Sequence, residues 1–213
     1  MTTAFVLSGG AALGAAQVGM ASALAHAGIR PDLIVGASVG ALNGGWIAGR
    51  PDPAGLADLE TLWRGLRRDD VFPTRPLIGL SGLMGRSRNL VANTALRRLI
   101  SPNVRFTQLE HAPVPLHVIV TDVLTGMDVC LSSGSTVDAI LASAAIPAVF
   151  PPVRIDGRDY MDGGVVNNTP ISHAVKLGAD QIWVLSTGYA CADRKSTRLN
   201  SSHHTTSRMP SSA

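Results

Sequence analysis

The sequence contains a strong candidate nucleophile, Ser38, in the pentapeptide Gly36-Ala37-Ser38-Val39-Gly40. The pentapeptide directly follows the apolar run Leu33-Ile34-Val35, so a buried strand is expected to end where it begins. A serine with glycine two residues away on both sides suits a sharp strand-to-helix turn, which exposes the hydroxyl beside the positive end of a helix. This spacing predicts nucleophilic chemistry at Ser38. A tight Gly/Ser turn without chemistry is the alternative that the pentapeptide alone leaves open.

Backbone donors for an oxyanion are expected in the glycine loop Gly9-Gly10-Ala11-Ala12-Leu13-Gly14, which follows the apolar run Thr3–Leu7. Loops that follow neighbouring parallel strands emerge at the same edge of a sheet, so this loop and Ser38 are expected to meet. The N–H of Val39, directly after the serine, is a further candidate donor. A dinucleotide or phosphate cradle fits the loop poorly, because its glycines are not spaced as G-x-G-x-x-G and no Lys-Ser/Thr pair follows. No cofactor or metal is expected.

Asp162 is the best candidate for the base that activates the serine. It lies in Tyr160-Met161-Asp162-Gly163-Gly164, where a short strand ends and two glycines permit a close backbone approach. An Asp-Gly turn without chemistry is the alternative. A Ser-His-Asp triad is less well supported, because His173 falls in a predicted helix and no other histidine has a setting typical of a catalytic imidazole. The histidines considered are His26, His111, His117, His173, His203 and His204.

The surrounding pattern predicts strands alternating with helices, which is typical of an α/β fold with a parallel sheet covered by helices. Strands are predicted at Thr3–Leu7, Leu33–Val35, Pro115–Thr121, Asp128–Leu131, Val153–Ile155, Arg158–Met161 and Gln181–Ser186. Helices are predicted at Ala11–Ala27, Val39–Ala48, 54–68, Asn89–Ile100, Val137–Ala145 and Pro170–Leu177. Residues 1–192 are expected to form one domain, and the Ser/Thr-rich residues 193–213 a disordered or non-native tail.

Composition limits the partners and the location of the protein. The net charge is +3, but residues 193–213 hold four of the 18 basic residues and one of the 15 acidic ones, so the rest of the chain is balanced. Nucleic acid is therefore not expected as a partner.

Residues 4–25 carry no charge, yet their glycines favour a strand, a loop and a packed helix over a membrane span. No basic stretch precedes them, so no signal peptide and a cytoplasmic location are expected. The oligomeric state stays open.

Four short motifs together resemble the patatin-like phospholipase family, over about Ala4 to Leu185. The matching residues are Leu7-Ser8-Gly9-Gly10 with Gly14 and Gln17, Gly36-Ala37-Ser38-Val39-Gly40, Ala142-Ser143-Ala144-Ala145-Ile146-Pro147 leading into Phe150-Pro151-Pro152, and Asp162-Gly163-Gly164. The resemblance implies a three-layer α/β/α sandwich with a mostly parallel central sheet. It also implies an acyl hydrolase that uses Ser38 as nucleophile and Asp162 as base, without a histidine. Gly9, Gly10 and Ala11 would form the oxyanion loop.

Two residues depart from the family's usual pattern. Ala11 stands where a third glycine is usual, and its methyl group is expected to fit if its φ is negative. Leu13 stands where an arginine or lysine is usual, so a phospholipid preference is less secure than ester hydrolysis. The alternative functions are a catalytically weak or inactive lipid-binding member of the family and a Ser-His-Asp esterase.

The expected substrate is a lipid or another fatty-acyl ester, and residues 73–100 are a candidate lid over an apolar acyl pocket. The lid's apolar residues are Leu77, Ile78, Leu80, Leu83 and Met84. Nine arginines between residues 60 and 105 allow two interpretations, a peripheral contact with an anionic membrane surface or a solvated face.

Overall fold

The computed structural model describes residues 1–71 and 92–188. In this part of the chain seven strands form one sheet: β1 (Thr3–Leu7), β2 (Leu33–Ala37), β3 (Leu116–Asp122), β4 (Asp128–Leu131), β5 (Val153–Ile155), β6 (Arg158–Asp162) and β7 (Gln181–Leu185). The helices of the same ranges are α1 (Gly14–His26), α2 (Val39–Gly49), α3 (Pro53–Gly65), α4 (Arg68–Val71), α5 (Thr94–Ile100), α6 (Thr136–Ser143) and α7 (Ile171–Lys176). Short 3₁₀ turns lie at Ala11–Leu13, Leu109–His111 and Gly163–Val165.

The sheet has a parallel block and an antiparallel margin. Pairing connects the strands in the order β5-β6-β3-β2-β1-β7, with β2 and β6 on one edge of β3 and β4 on its other edge. The four strands β7, β1, β2 and β3 are parallel, whereas β4 and β6 run antiparallel to β3 and β5 runs antiparallel to β6. The predicted α/β fold is confirmed, with a mixed sheet. The predicted hairpin is also present, because Asp156 and Gly157 both have positive φ between β5 and β6.

Helices cover both faces of the sheet, as the alternation of side chains along β1 shows. Phe5 and Leu7 point to the larger core, where α1, α2 and α6 pack. Ala4 and Val6 point to the opposite face, where they meet Ala174 of α7. Strands buried on both faces read as continuous apolar runs, which explains why β1, β2 and β3 could be recognised from sequence.

Strand β3 brings two distant chain segments together on one of its edges. One edge pairs with β4 over residues 118–121. Along the other edge β2 pairs as far as Ala37, opposite Ile119, and β6 begins at the next position, where Asp162 lies opposite Val120. The carboxyl ends of β2 and β6 therefore meet head to head on this edge, and each is followed at once by a turn.

Several helix boundaries differ from the predicted ones for local reasons. Helix α3 begins at Pro53, because Asp52 caps it by accepting the N–H of Gly55 at 2.7 Å. It ends at Gly65, where Leu66 becomes extended, and the short α4 follows as a separate helix. The chain enters α1 through a 3₁₀ turn rather than as one helix from Ala11. The predicted lid up to residue 91 and the predicted tail lie outside the described residues.

Candidate active site

Ser38 occupies the sharp turn between β2 and α2 that the pentapeptide predicts. Its φ and ψ are +54° and −123°, a strained conformation for a residue with a side chain. The flanking glycines are required by space: a Cβ on Gly36 would lie 2.5 Å from the carbonyl oxygen of Gly40, and one on Gly40 would lie 2.2 Å from that of Leu7. The strand and the helix can therefore approach closely enough to turn the serine out of the sheet.

The side chains of Ser38 and Asp162 form a direct hydrogen bond. Ser38 Oγ donates to Asp162 Oδ2 at 2.6 Å, and the second carboxyl oxygen, Oδ1, accepts the N–H of Gly164 at 2.7 Å. Both side chains are largely buried, at 7% and 6% exposure. The carboxyl group is thus held by one bond from the candidate nucleophile and one from the backbone.

Burial gives Asp162 more basicity than an ordinary aspartate. Loss of solvation raises the pKa of the Asp162 carboxyl, and the hydrogen bonds from Ser38 and Gly164 oppose this rise. A raised pKa means that the ionised carboxylate accepts a proton more readily. The geometry and the electrostatics together suit proton transfer from the serine hydroxyl.

The backbone around Asp162 is fixed by contacts with β3. Thr121 Oγ1 donates to the carbonyl oxygen of Asp162 at 2.9 Å. The next residue must be glycine, because a Cβ on Gly163 would lie 2.1 Å from the carbonyl oxygen of Ile119. Gly163 therefore allows close packing against β3, and Gly164 supplies the N–H that binds Asp162 Oδ1.

The glycine loop lies against the serine. A Cβ on Gly9 would lie 3.1 Å from Ser38 Cβ, so these two backbones are in near contact. The N–H of Gly9 donates to the carbonyl oxygen of Asn168 at 3.0 Å, and it is therefore not free to bind an oxyanion. Within residues 1–71 and 92–188, the N–H groups of Gly10, Ala11 and Val39 have no bonded acceptor. These three N–H groups are candidate donors near Ser38.

A buried polar network anchors the start of the loop. Gln17 Nε2 donates to the carbonyl oxygens of Ser8 and Leu185, and Asn43 Nδ2 donates to Gln17 Oε1 and to the carbonyl oxygen of Gly14. A Cβ on Gly14 would lie 2.3 Å from the side chain of Val39, so this glycine lets α1 and α2 approach. The sequence marked Gln17 as part of a motif, but nothing in the local pattern pointed to Asn43.

Ala11 adopts a left-handed conformation, with φ of +50°, so the condition stated for an unstrained fit of its methyl group is not met. Its N–H remains available, but the backbone is strained because the residue has a Cβ. Glycine is the residue that adopts this conformation without strain.

Replacing Ala11 by glycine is expected to raise the free energy of unfolding by about 1 kcal/mol. The left-handed region costs an L-residue about 1–2 kcal/mol, and glycine's greater freedom in the unfolded chain offsets part of the gain. Urea denaturation would measure the difference. Ala12→Gly is the matched control, since Ala12 lies in the same turn without a positive φ and its replacement should lower stability. An Ala11→Gly variant no more stable than wild type would contradict the assigned strain.

An apolar cavity of about 440 Å³ opens beside Ser38. Its walls come mainly from α2, α3 and α5. Side chains that line it include Leu42, Trp46, Leu59, Trp63, Leu96 and Ile100. Trp63 is held in place by its Nε1, which donates to Asn43 Oδ1 at 2.9 Å. The cavity suits a long apolar group placed next to the serine hydroxyl.

Comparison with known protein families gives a match over most of this chain. The model of the patatin-like phospholipase family matches residues 5–175. The chain belongs to the patatin-like phospholipase family. This patatin-like chain is 34% identical over 179 residues to an uncharacterised NTE family protein of Mycobacterium tuberculosis, covering 83% of the chain and 46% of that relative. It is 30% identical over 191 residues to a lysophospholipase of Aspergillus terreus, covering 86% of the chain and 12% of that relative. The chain thus spans less than half the length of these relatives.

A solved structure of similar fold is VipD from Legionella pneumophila. The two superpose with a TM-score of 0.59 at 18% identity, over 92% of this chain and 52% of VipD. The likeness supports the patatin-like α/β fold described above.

His173, the histidine considered for a triad, is bonded elsewhere in this patatin-like chain. His173 Nε2 is within 2.8 Å of Asp128 Oδ2, which also accepts the side-chain amide of Asn167 at 2.7 Å. These contacts join α7, β4 and the segment after Asp162. Among the described residues, Ser38 Oγ bonds to Asp162 and to no histidine.

The surface predicted to meet a membrane is only partly described. Arg64 pairs with Glu60, and Arg97 pairs with Asp138, so two of the arginines have acidic partners within the protein. Leu13 is 60% exposed at the end of its 3₁₀ turn. In residues 1–71 and 92–188, no helix combines the length and hydropathy needed to cross a membrane.

Proposed function

We propose that this chain is a serine acyl hydrolase that cleaves fatty-acyl ester bonds of lipids, in the manner of a phospholipase A or lysophospholipase. The observation that carries the proposal is the 2.6 Å hydrogen bond from Ser38 Oγ to Asp162 Oδ2 at the wall of an apolar cavity. Membership of the patatin-like phospholipase family and the names of the relatives support the substrate class.

In the first step Ser38 Oγ attacks the ester carbonyl carbon while Asp162 takes its proton. The hydroxyl already points at the carboxylate, so no side chain must turn before transfer. Negative charge develops on the carbonyl oxygen, and the free N–H groups of Gly10, Ala11 and Val39 are proposed to bind it. Asp162 then returns the proton to the departing alcohol, which leaves an acyl group on Ser38.

In the second step water attacks the acyl group. Asp162 accepts a proton from the water, the same donors hold the oxyanion, and the proton returns to Ser38 Oγ as the fatty acid leaves. One carboxyl group thus serves both half-reactions, and no histidine is needed.

The cavity is proposed to hold the acyl chain. Its walls offer aliphatic and indole side chains, and burial of each CH₂ contributes about 0.8 kcal/mol. Selection for long acyl chains follows from this. The exposed Leu13 is proposed to face the lipid surface from which substrate is drawn, together with those arginines of residues 60–71 and 92–105 that have no acidic partner among the described residues.

Hydrolysis of p-nitrophenyl butyrate and p-nitrophenyl palmitate tests the proposal. Wild-type protein should release nitrophenol from both esters, with the larger kcat/KM for the long chain. Lack of turnover on these esters and on lysophospholipid would favour the alternative of an inactive lipid-binding member.

Narrowing the cavity should change the chain-length preference. Leu42 lies one helical turn after Ser38 on α2 and lines the cavity. Leu42→Trp is expected to lower kcat/KM for the palmitate ester by about 100-fold, since loss of about four buried CH₂ groups removes about 3 kcal/mol. The butyrate ester should change little.

Val175→Trp is the control for this variant. Val175 is 59% exposed on α7, on the opposite face of the sheet, so the added indole cannot reach the cavity. Equal losses for both esters in Leu42→Trp would show that the acyl chain lies elsewhere.

A further inference from the structure

Ser143 is a fully buried serine that the proposed acyl transfer does not use. It is the last residue of α6, with 0% exposure. Its Oγ accepts the backbone N–H of Ser38 at 2.8 Å and donates to the carbonyl oxygen of Ile119 at 2.6 Å. The hydroxyl is therefore bonded on both sides, and one of its partners is the backbone of the candidate nucleophile.

The Ser143 hydroxyl lies where the pairing of β3 changes from β2 to β6. On this edge of β3, pairing with β2 ends at Ala37 opposite Ile119, and pairing with β6 begins at Asp162 opposite Val120. Ser38 leaves the sheet at this break, so its N–H would otherwise be buried without an acceptor. Ser143 Oγ is that acceptor, and it donates in turn to the carbonyl oxygen of Ile119 on β3.

The same short segment also holds the base. The backbone N–H of Asp162 donates to the carbonyl oxygen of Ala145 at 3.0 Å. Residues 143–145 thus bind the backbone N–H of both members of the Ser38–Asp162 pair. Their relative position is fixed by one three-residue segment as well as by the hydrogen bond between the two side chains.

We propose that Ser143 is a positioning residue, which holds Ser38 in its strained conformation and at bonding distance from Asp162. A φ of +54° on a non-glycine residue persists only where the surroundings over-determine it, and the bond to Ser143 is a direct restraint on that backbone. The inference rests on the proposed hydrolase function. Ser143 acts by placing Ser38 and not by contacting substrate, since it does not line the cavity beside Ser38.

The test is Ser143→Ala, assayed with p-nitrophenyl palmitate over a range of pH. A small displacement of a reacting group is known to cost about 10²-fold in rate, so kcat should fall about 10- to 100-fold while KM stays within about twofold. The acid limb of kcat/KM should also move to higher pH, because the hydrogen bond from Ser38 lowers the pKa of Asp162 and would be weakened.

Ser135→Ala is the matched control on the same helix. Ser135 caps the start of α6 by accepting the N–H of Asp138, so its loss weakens the helix without touching Ser38. Its kcat and pH profile should match wild type. An equal fall in kcat in Ser135→Ala would reduce the role of Ser143 to helix stability and overturn the inference.

The remaining outcomes separate this inference from the proposed function. Wild-type kcat in folded Ser143→Ala overturns the positioning role, even if Ser38→Ala is inactive. Full turnover in Ser38→Ala overturns the proposed function itself.

If circular dichroism shows Ser143→Ala to be unfolded, Ser143→Cys is assayed instead, since its thiol is a weaker acceptor of similar shape. It should lose about 10-fold in kcat, and wild-type kcat would again overturn the inference.

Discussion

Replacing Asp162 by asparagine is expected to lower kcat for ester hydrolysis by about 10²- to 10⁴-fold, the usual contribution of a general base. The amide can keep its oxygen on the N–H of Gly164 and place its NH₂ group towards Ser38 Oγ. The hydrogen bond between the two side chains is then reversed, and no group accepts the serine proton. Steady-state kinetics on p-nitrophenyl palmitate would measure the loss.

The same variant is expected to be more stable than wild type at neutral pH. Burial raises the folded-state pKa of Asp162 above that of the unfolded chain. A carboxyl group with a raised pKa binds a proton more readily in the folded than in the unfolded protein. Its ionisation therefore lowers the free energy of unfolding as the pH rises from the unfolded-state pKa through the folded-state pKa. Asparagine removes this effect. The Tm of Asp162→Asn should exceed that of wild type at neutral pH, with the difference shrinking as pH falls.

An unfolded or strongly destabilised Asp162→Asn variant would contradict this account of Asp162. Asp159→Asn is a suitable control, because Asp159 lies on the same strand and pairs with Arg154 at the surface. Its activity should match that of wild type, and its stability should change little.

Replacing Ser38 by alanine is expected to lower kcat by about 10⁴-fold or more, since the atom that carries the acyl group is removed. Binding of a fatty acid should persist, because the cavity walls are unchanged. Nitrophenol release and fatty-acid titration would measure the two effects separately. Ser133→Ala, at an exposed serine, is the control and should behave as wild type.

Substantial turnover in Ser38→Ala would show that another group carries the chemistry. Loss of both turnover and fatty-acid binding would instead indicate a damaged cavity. Only loss of turnover with retained binding agrees with a nucleophile at Ser38.

The fold was largely predictable, because its determinants are local in the chain. The apolar run of β1, the glycines around Ser38 and the Asp156-Gly157 turn each specify a backbone conformation through neighbouring residues. These local conformations together gave the α/β order of elements that the structure shows. The short motifs predicted the family, and its membership is confirmed.

The contacts that complete the candidate site were not predictable in this way. Ser143 reaches Ser38 across 105 residues, and the carbonyl oxygen of Asn168 accepts the N–H of Gly9 across 159 residues. The left-handed φ of Ala11 depends on how the loop is held at both ends. The cavity arises from three helices whose packing no single segment specifies. Such features depend on tertiary structure.

Mass spectrometry after treatment with a long-chain fluorophosphonate tests the central claim most directly. Attack by Ser38 Oγ displaces fluoride, so wild-type protein should gain one phosphonyl group, mapped to Ser38, as ester hydrolysis is lost in parallel. Asp162→Asn should react far more slowly, because no carboxylate accepts the serine proton. Loss of hydrolysis with the phosphonyl group on any other residue, or labelling of Asp162→Asn at the wild-type rate, would contradict the Ser38–Asp162 mechanism.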